Sequence, residues 1–343
     1  MRKIRGCITA LATPFDKQGN VDKDALKNLI RVQIRAGVHG LVPCGTTGES
    51  PTLSHEEHEE VIRITIETVK KRIPVIAGTG SNSTDEALRL TKAAEKAGAD
   101  ASLQVVPYYN KPNQLGLYKH FTKIAKNTSL PIILYNIPGR SVINLDSLTI
   151  KKLNKDNKNI IGIKEASGRI EKIREIRNTC PKNFIILSGD DNLNYLTLEE
   201  GGNGYISVTS NIAPKECSQM FNYFVKKNFK KAALIDNKLS ELNNLLFIDT
   251  NPIGIKYALS EAGLCENILR LPLTKLKAKD SSLLYKELKH FKEHVGVEYN
   301  YFWADTFLAV SDKEFNEFCD MYSDIKLPFW MQTRPETLTD YRV

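Results

Sequence analysis

Ile160-Ile-Gly-Ile-Lys-Glu-Ala166 is a short β-rich run, and Arg169-Ile-Glu-Lys-Ile-Arg-Glu-Ile-Arg-Asn-Thr-Cys180 follows it closely. The second run places isoleucine at every third position, which is typical of an amphipathic helix. Together the two runs predict one strand followed by one helix, the unit from which α/β folds are built.

The same unit recurs from residue 7 to about residue 228. The β-rich runs are Cys7–Phe15, Gly40–Gly45, Pro74–Gly80, Ala101–Pro107, Pro131–Pro138, Ile160–Ala166, Phe184–Asp190 and Gly204–Asn211. Helical spacing lies between them, for example in Asp22–Gly37, Ser54–Arg72, Ser83–Gly98, Gln114–Asn127 and Arg169–Cys180. Ser54-His-Glu-Glu is a capping-box pattern that marks a helix start. Eight such units predict a (β/α)8 barrel, the TIM-barrel form of the α/β class, over residues 1–228.

An open, doubly wound sheet is the alternative fold. It would normally carry a glycine-rich phosphate turn after its first strand, and Thr13-Pro-Phe-Asp-Lys-Gln-Gly-Asn20 does not fit that pattern.

After residue 228 the pattern becomes helical, which predicts a C-terminal helical region over residues 229–295. Residues 296–343 differ from the rest because they are aromatic-rich, acidic and contain both tryptophans. We interpret them as a short unrelated tail of unknown role.

Composition limits the class of protein. The chain has 343 residues, 41% of them hydrophobic and 26% charged, which predicts a globular fold with a sizeable core. No apolar run approaches the roughly 18 residues that span a bilayer. The six cysteines are scattered, which predicts reduced thiols. The net charge of +8 is spread over helices that also carry glutamate, so we expect no nucleic-acid partner. Because the apolar run at Cys7–Thr13 is too short for a signal-peptide core and no run is long enough to span a bilayer, we expect no membrane association and a cytoplasmic location.

Lys164 is the most informative single residue. It lies within an otherwise apolar strand, so its amine is expected at the mouth of the barrel, where enzymes with this fold build their active sites. Burial favours a neutral amine, which attack on a ketone requires. The alternative is a strand-end lysine whose ammonium reaches solvent, and this segment alone does not separate the two readings.

Other polar residues also follow predicted strands. Gly45-Thr-Thr-Gly offers hydroxyls and backbone amides to a small carboxylate, although such a turn often only reverses the chain. Tyr109 and Tyr135 have phenols that can relay protons, and Arg140 has a planar fork that suits a carboxylate. Packing for the tyrosines and a surface position for the arginine are the alternatives. No histidine or cysteine cluster has the spacing of a metal site.

Four motifs in order carry a family resemblance. They are Gly45-Thr-Thr-Gly-Glu-Ser, Tyr108-Tyr-Asn-Lys-Pro, Tyr135-Asn-Ile-Pro-Gly-Arg and Gly162-Ile-Lys-Glu-Ala-Ser. The chain over about residues 1–294, including Asn251-Pro-Ile-Gly-Ile-Lys, resembles the dihydrodipicolinate synthase / N-acetylneuraminate lyase family. Thr46 and Arg140 favour the synthase branch, because the sialic-acid lyases typically have serine at the first position and lack that arginine.

The resemblance implies a chemistry and a set of roles. It implies condensation of pyruvate with L-aspartate-4-semialdehyde to 4-hydroxy-tetrahydrodipicolinate, the first committed step towards diaminopimelate and lysine, without a metal or organic cofactor. It also implies that Lys164 forms the pyruvate imine and that Tyr135 exchanges protons with the substrate. Thr46 would connect Tyr135 to Tyr109 of a neighbouring subunit. Thr47 would bind the pyruvate carboxylate, Arg140 would attract the semialdehyde carboxylate, and Gly189 and Ile206 would line the pocket.

The resemblance also implies regulation and assembly. It predicts feedback inhibition by L-lysine at a second site made of His55, His58, Asn82, Glu86 and Tyr108, and a homotetramer built as a dimer of dimers. Two rival functions stay open at this point. One is another pyruvate-dependent aldolase of the same family, such as a sialic-acid or keto-deoxy-sugar lyase. The other is a non-catalytic barrel that serves as a binding protein.

Overall fold

The structure is a computed structural model that describes residues 3–295, 300–302 and 329–331. The chain divides into two compact units, Met1–Tyr285 and Lys286–Val343. The first unit contains the eight-stranded sheet and all the residues with a predicted catalytic or binding role. The domain boundaries expected near residues 228 and 295 remain predictions from the sequence.

Strands and helices alternate along the first unit. The strands of its sheet are β1 (Gly6–Ala10), β2 (Gly40–Val42), β3 (Ile76–Gly78), β4 (Ala101–Val105), β5 (Ile132–Asn136), β6 (Ile160–Glu165), β7 (Ile185–Ser188) and β8 (Gly204–Ser207). The helices are α1 (Lys23–Arg35), α2 (His55–Val69), α3 (Thr84–Ala97), α4 (Gln114–Ala125), α5 (Pro138–Ser141), α6 (Ser147–Asp156), α7 (Ile170–Thr179), α8 (Asn194–Glu199), α9 (Pro214–Val225), α10 (Phe229–Leu245), α11 (Ile253–Glu261) and α12 (Ala278–Val295), which runs on into the second unit.

The eight strands are all parallel and close into a barrel. Their order is β2-β1-β8-β7-β6-β5-β4-β3, so β2 and β3 are the two ends of the sheet. Backbone hydrogen bonds join these ends, from Leu41 N to Pro74 O and from Gly78 N to Pro43 O, both 3.0 Å. The predicted (β/α)8 barrel is therefore confirmed. The strands are shorter than the β-rich runs, because each run continues into a loop at the mouth.

Local signals fix several helix ends as the sequence predicts. Ser54 caps α2 in a complete capping box, in which its hydroxyl accepts from Glu57 N and the Glu57 carboxylate accepts from Ser54 N. Gly98 ends α3 in the left-handed conformation with φ of 90°, which glycine adopts without steric cost.

The main hydrophobic core lies between the strands and the surrounding helices. Ile163 of β6 and Leu134 of β5 are fully buried in it, together with Phe121 of α4 and Ile173 of α7. Because successive side chains of a strand point to opposite faces, the neighbours Lys164 and Tyr135 face the interior of the barrel. The packing of the outer layer therefore decides which side chains the barrel encloses.

In the second unit, two short strands, β9 (Asn300–Phe302) and β10 (Phe329–Met331), pair in parallel. Most of the tail that the sequence sets apart, residues 296–343, lies outside the described residues. In the part of the chain that the structure describes, no helix is both long enough and apolar enough to cross a membrane.

Candidate active site

Lys164 and Tyr135 lie side by side on neighbouring strands. They are register partners between β6 and β5, and the Lys164 Nζ atom lies 4.3 Å from the centre of the Tyr135 ring. Lys164 is only 6% exposed and Tyr135 only 4%. The amine predicted to attack a ketone is therefore enclosed in the barrel, against the aromatic face of Tyr135.

Gly189, directly after β7, leaves the space that the Lys164 side chain fills. A Cβ atom at this position would lie 2.7 Å from Lys164 Cε and 2.7 Å from Ala166 Cβ. Ile206 of β8 is 2% exposed, in the same wall of the barrel. The carboxylate of Asp191 accepts hydrogen bonds from Val208 N at 2.8 Å and Thr209 N at 3.0 Å, and so ties the loop after β7 to the loop after β8.

A second pair lies just behind Lys164 and Tyr135. The Asn136 side-chain amide donates to the Glu165 carboxylate at 2.9 Å, and Ser167 N donates to the same carboxylate at 2.8 Å. Burial raises the pKa of Glu165, although these hydrogen bonds act in the opposite direction. Neither Asn136 nor Glu165 has a role predicted from the sequence. Side chains alternate between the two faces of a strand, so Asn136 and Glu165, each next to a predicted catalytic residue, are expected together on the opposite face of β5 and β6.

The turn after β2 carries the two threonines. Thr47 is 2% exposed and Thr46 is half-buried. Asn251, which precedes α11, donates from its side-chain amide to Thr47 Oγ1 at 3.1 Å. Since the threonine hydroxyl accepts in this bond, its own proton is free to point to a ligand. Within the described residues no hydrogen bond joins Thr46 to Tyr135 or Tyr109.

Arg140 reaches the same asparagine from the opposite side of the mouth. Its side chain is exposed, and Nη2 donates to the Asn251 backbone carbonyl at 2.9 Å. Asn251 therefore contacts both groups that the sequence assigns to carboxylate binding, Thr47 and Arg140. Asn251 belongs to one of the segments that carry the family resemblance, but no role for it is predicted from the sequence.

Tyr109 stands apart from these residues. Its side chain is 89% exposed, and its backbone has the positive φ of 72° that non-glycine residues seldom adopt. The exposure agrees with the expectation that Tyr109 acts in a neighbouring subunit, which remains a prediction.

The residues expected to bind lysine form a second cluster. His55 Nε2 lies 2.8 Å from Glu86 Oε1, and the Ser81 hydroxyl donates to the other oxygen of that carboxylate. These two contacts, in the order Ser81 and His55, hold the pKa of Glu86 below its usual range. Burial, and then the charge of Glu86, raise the pKa of Tyr108. The structure therefore brings Glu86, His55 and Tyr108 together.

His58 belongs to the same cluster but is not a surface residue. It is 3% exposed, and burial lowers the pKa of its imidazole to about 4, so the ring is neutral at pH 7. Asn82 holds the adjoining loop, since its backbone carbonyl accepts from the Asn110 amide at 2.8 Å. Among the described residues, no group of three or more His, Cys, Asp or Glu side chains is arranged to hold a metal ion.

Comparison with known proteins identifies the family of this chain. The family model described as "Dihydrodipicolinate synthetase family" matches residues 3–291. The 4-hydroxy-tetrahydrodipicolinate synthase of Bartonella bacilliformis is 50% identical over 287 residues, which are 84% of this chain and 98% of that protein. The enzyme class predicted from the motifs is thereby confirmed.

Solved structures agree in fold as well as in sequence. The chloride-inhibited dihydrodipicolinate synthase of Acinetobacter baumannii, complexed with pyruvate, is 44% identical with a TM-score of 0.82, over 84% of this chain and 98% of that one. The enzyme of Cyanidioschyzon merolae, with lysine bound, is 41% identical with a TM-score of 0.80, over 83% of this chain and 97% of that one. The chain belongs to the dihydrodipicolinate synthetase family, and its predicted activity is the 4-hydroxy-tetrahydrodipicolinate synthase activity for which its relatives are named.

Proposed function

We propose that this chain condenses pyruvate with L-aspartate-4-semialdehyde through an imine on Lys164. The observation that carries the proposal is the enclosed Lys164 amine, which lies 4.3 Å from the Tyr135 ring centre, while Gly189, directly after β7, leaves room for the lysine side chain. An enclosed amine beside a phenol has both a nucleophile and a proton carrier for imine formation.

The first stage uses pyruvate alone. The Lys164 amine adds to the pyruvate ketone carbon, and loss of water leaves a protonated imine. Loss of a proton from the methyl group then gives an enamine, because the imine nitrogen accepts the electron pair. Tyr135 moves the protons in these steps, and the Thr47 hydroxyl donates a hydrogen bond to the pyruvate carboxylate.

The second stage joins the two substrates. The enamine carbon attacks the aldehyde of the semialdehyde, whose oxygen takes a proton and becomes the hydroxyl of the product. The amino group of the semialdehyde then adds to the imine carbon, and Lys164 leaves as a free amine. Arg140 holds the semialdehyde carboxylate, since a guanidinium pairs with a carboxylate through two parallel hydrogen bonds.

Reductive trapping tests the proposal. Incubation with pyruvate and borohydride should add one pyruvate-derived mass to the peptide that contains Lys164. Lys164→Ala should remove this label, while Lys172→Ala, which removes another buried lysine, should keep it. Labelling of a different lysine, or of none, would falsify the assignment. A screen with sialic acid and keto-deoxy sugars separates this function from the related lyases.

We also propose that L-lysine inhibits the enzyme at the cluster of His55, His58, Asn82, Glu86 and Tyr108. Glu86 supplies a carboxylate for an ammonium group, and the buried His58 is neutral and does not repel it. A relative has been solved with lysine bound. Tyr108 precedes Tyr109, so a ligand that holds the first residue can displace the second.

Initial rates against L-lysine test this second site. Wild-type enzyme should be inhibited at millimolar lysine, and Glu86→Ala should need at least about tenfold more, the equivalent of one lost charge-assisted hydrogen bond. Glu95→Ala is a matched control, because that carboxylate also accepts from a serine but lies at the other end of α3. Equal inhibition of wild type and Glu86→Ala would show that lysine does not bind at this cluster. The homotetramer and the cytoplasmic location remain predictions from the sequence.

A further inference from the structure

The motif Asn251-Pro-Ile-Gly-Ile-Lys256 has no place in the steps above, although it matches the family. Its last residue, Lys256 in α11, is 0% exposed. Lys256 Nζ lies 3.0 Å from Glu49 Oε1, and the two side chains are 0% and 1% exposed. A fully buried ion pair therefore joins α11 to the turn that carries Thr46 and Thr47.

Glu49 is held in one conformation by its surroundings. Its backbone has φ of 53°, in the left-handed region, and its amide donates to Thr46 O at 3.1 Å. The second carboxylate oxygen accepts from Arg270 N at 3.1 Å. A non-glycine residue in this backbone region persists where its surroundings hold it there, and here the side-chain contacts of Glu49 do so.

Lys256 is held as firmly as its partner. Its ammonium also donates to the Ile268 carbonyl at 2.8 Å and lies 4.0 Å from the centre of the Phe15 ring. Burial lowers the pKa of Lys256, while Glu49 acts in the opposite direction and favours the charged form. Because each charge is the main partner of the other in a dry environment, movement of either side chain leaves an unpaired buried charge.

The pair and Asn251 hold the same turn at two points. Asn251 donates a hydrogen bond to Thr47, and Lys256, five residues further along the chain, forms the ion pair with Glu49. The turn itself is tight, with Gly48 N and Ser50 N both donating to Gly45 O. Fixing Glu49 therefore holds the backbone of the turn that carries Thr47, while Asn251 orients the Thr47 hydroxyl.

We propose that the Glu49–Lys256 pair positions the Gly45–Ser50 turn for the pyruvate carboxylate, so that the helical C-terminal region sets pyruvate affinity. The pair is a positioning device and touches no substrate. The inference rests on the proposed function, since it takes Thr47 as the pyruvate ligand. It goes beyond that function because it assigns control of pyruvate affinity to two residues that take no part in the reaction and contact no substrate.

The test measures how the rate of borohydride trapping at Lys164 depends on pyruvate concentration. Either single neutral variant would leave a buried charge unpaired, so the main variant is the double one, Glu49→Gln with Lys256→Met, of similar volume. Its half-saturating pyruvate concentration should rise at least about tenfold, or about 1.4 kcal/mol. Trapping at saturating pyruvate should stay within about twofold of wild type, since Lys164 and Tyr135 are untouched.

Glu49→Asp is a second variant that keeps both charges and shortens the side chain by one methylene. It should raise half-saturating pyruvate several-fold, and it decides the question if the double variant does not fold. Arg177→Met is the control. Arg177 donates to the Pro181 and Phe184 carbonyls just before β7 begins, at the opposite end of the strands. Its loss should lower the free energy of unfolding without changing pyruvate dependence.

The outcomes are distinct. Unchanged half-saturation in folded Glu49→Asp or in the folded double variant overturns the inference, and so does an equal rise in Arg177→Met. A fall in the saturating rate without a change in half-saturation also overturns it, because the pair would then act on the chemistry. If wild-type enzyme gives no pyruvate adduct on Lys164, the proposed function itself fails.

Discussion

Gly189 lies so close to Lys164 that a Cβ atom on it would stand 2.7 Å from Lys164 Cε. Carbon atoms of this kind do not approach within about 3.5 Å without repulsion. The path of the lysine side chain from β6 into the barrel therefore depends on the absence of a side chain after β7. This dependence makes Gly189 a direct test of how the amine is placed.

Gly189→Ala should displace the Lys164 amine and slow reductive trapping with pyruvate by about tenfold or more. A rise of ~1.4 kcal/mol in the activation free energy is enough to lower the rate by that factor. Gly139→Ala is the matched control, because a Cβ atom there meets nothing within 4 Å. The measurement is the trapping rate at saturating pyruvate for both variants. A wild-type rate in Gly189→Ala would show that the lysine takes another path.

Arg140→Ala should weaken use of the semialdehyde far more than imine formation. The loss of a charge-assisted hydrogen bond of about 1.5–3 kcal/mol lowers kcat/KM for the semialdehyde by about 10- to 100-fold. Arg169→Ala, which removes an exposed arginine near the end of β6, should leave both steps unchanged. If pyruvate trapping falls as much as turnover, Arg140 supports the site through Asn251 instead of binding substrate.

Tyr109→Phe and Lys164→Ala should complement each other in mixed dimers. If Tyr109 crosses an interface, a mixed dimer has one site with both groups intact, and random mixing restores about a quarter of the wild-type sites. The 89% exposure of Tyr109 in one chain is the basis for this expectation. Activity is measured after the two variants are mixed and re-equilibrated. Mixed dimers that stay inactive would limit Tyr109 to its own chain or to no role.

Acid should destabilise the protein through His120. The imidazole is 6% exposed, and burial lowers its pKa to about 4 from the ordinary 6.5. Between pH 6.5 and 4 the unfolded chain binds more protons, so the free energy of unfolding falls as pH falls, by about 3 kcal/mol for this group. Above pH 6.5 the imidazole is neutral in both the folded and the unfolded state, so it does not change the free energy of unfolding there.

Chemical denaturation at pH 7 and pH 4.5 measures this effect. Wild type should lose about 2–3 kcal/mol more than His120→Gln over this interval. His58, whose pKa is also about 4, remains in both proteins and supplies the same slope to each. An identical loss in the two proteins would show that His120 is accessible to protons in the folded state.

The sequence by itself determined the barrel and its principal residue. Strand length, helical periodicity and the capping box at Ser54 are patterns among near neighbours, which backbone geometry converts directly into strands and helices. The apolar run around Lys164 placed that amine on β6, and alternation along the strand gave it a face. The motifs then gave the family, because four of them occur in order along the chain.

Only the tertiary structure decided how distant residues share the site. Asn251 and Thr47 are 204 positions apart, and their hydrogen bond exists because closure of the barrel brings the turn after β2 against α11. The burial of His58 and the pairing of Glu49 with Lys256 have the same origin. The local sequence pattern sets which face of an element a side chain occupies. Packing between remote segments sets which groups that side chain contacts, and these contacts decide its partner and its charge state.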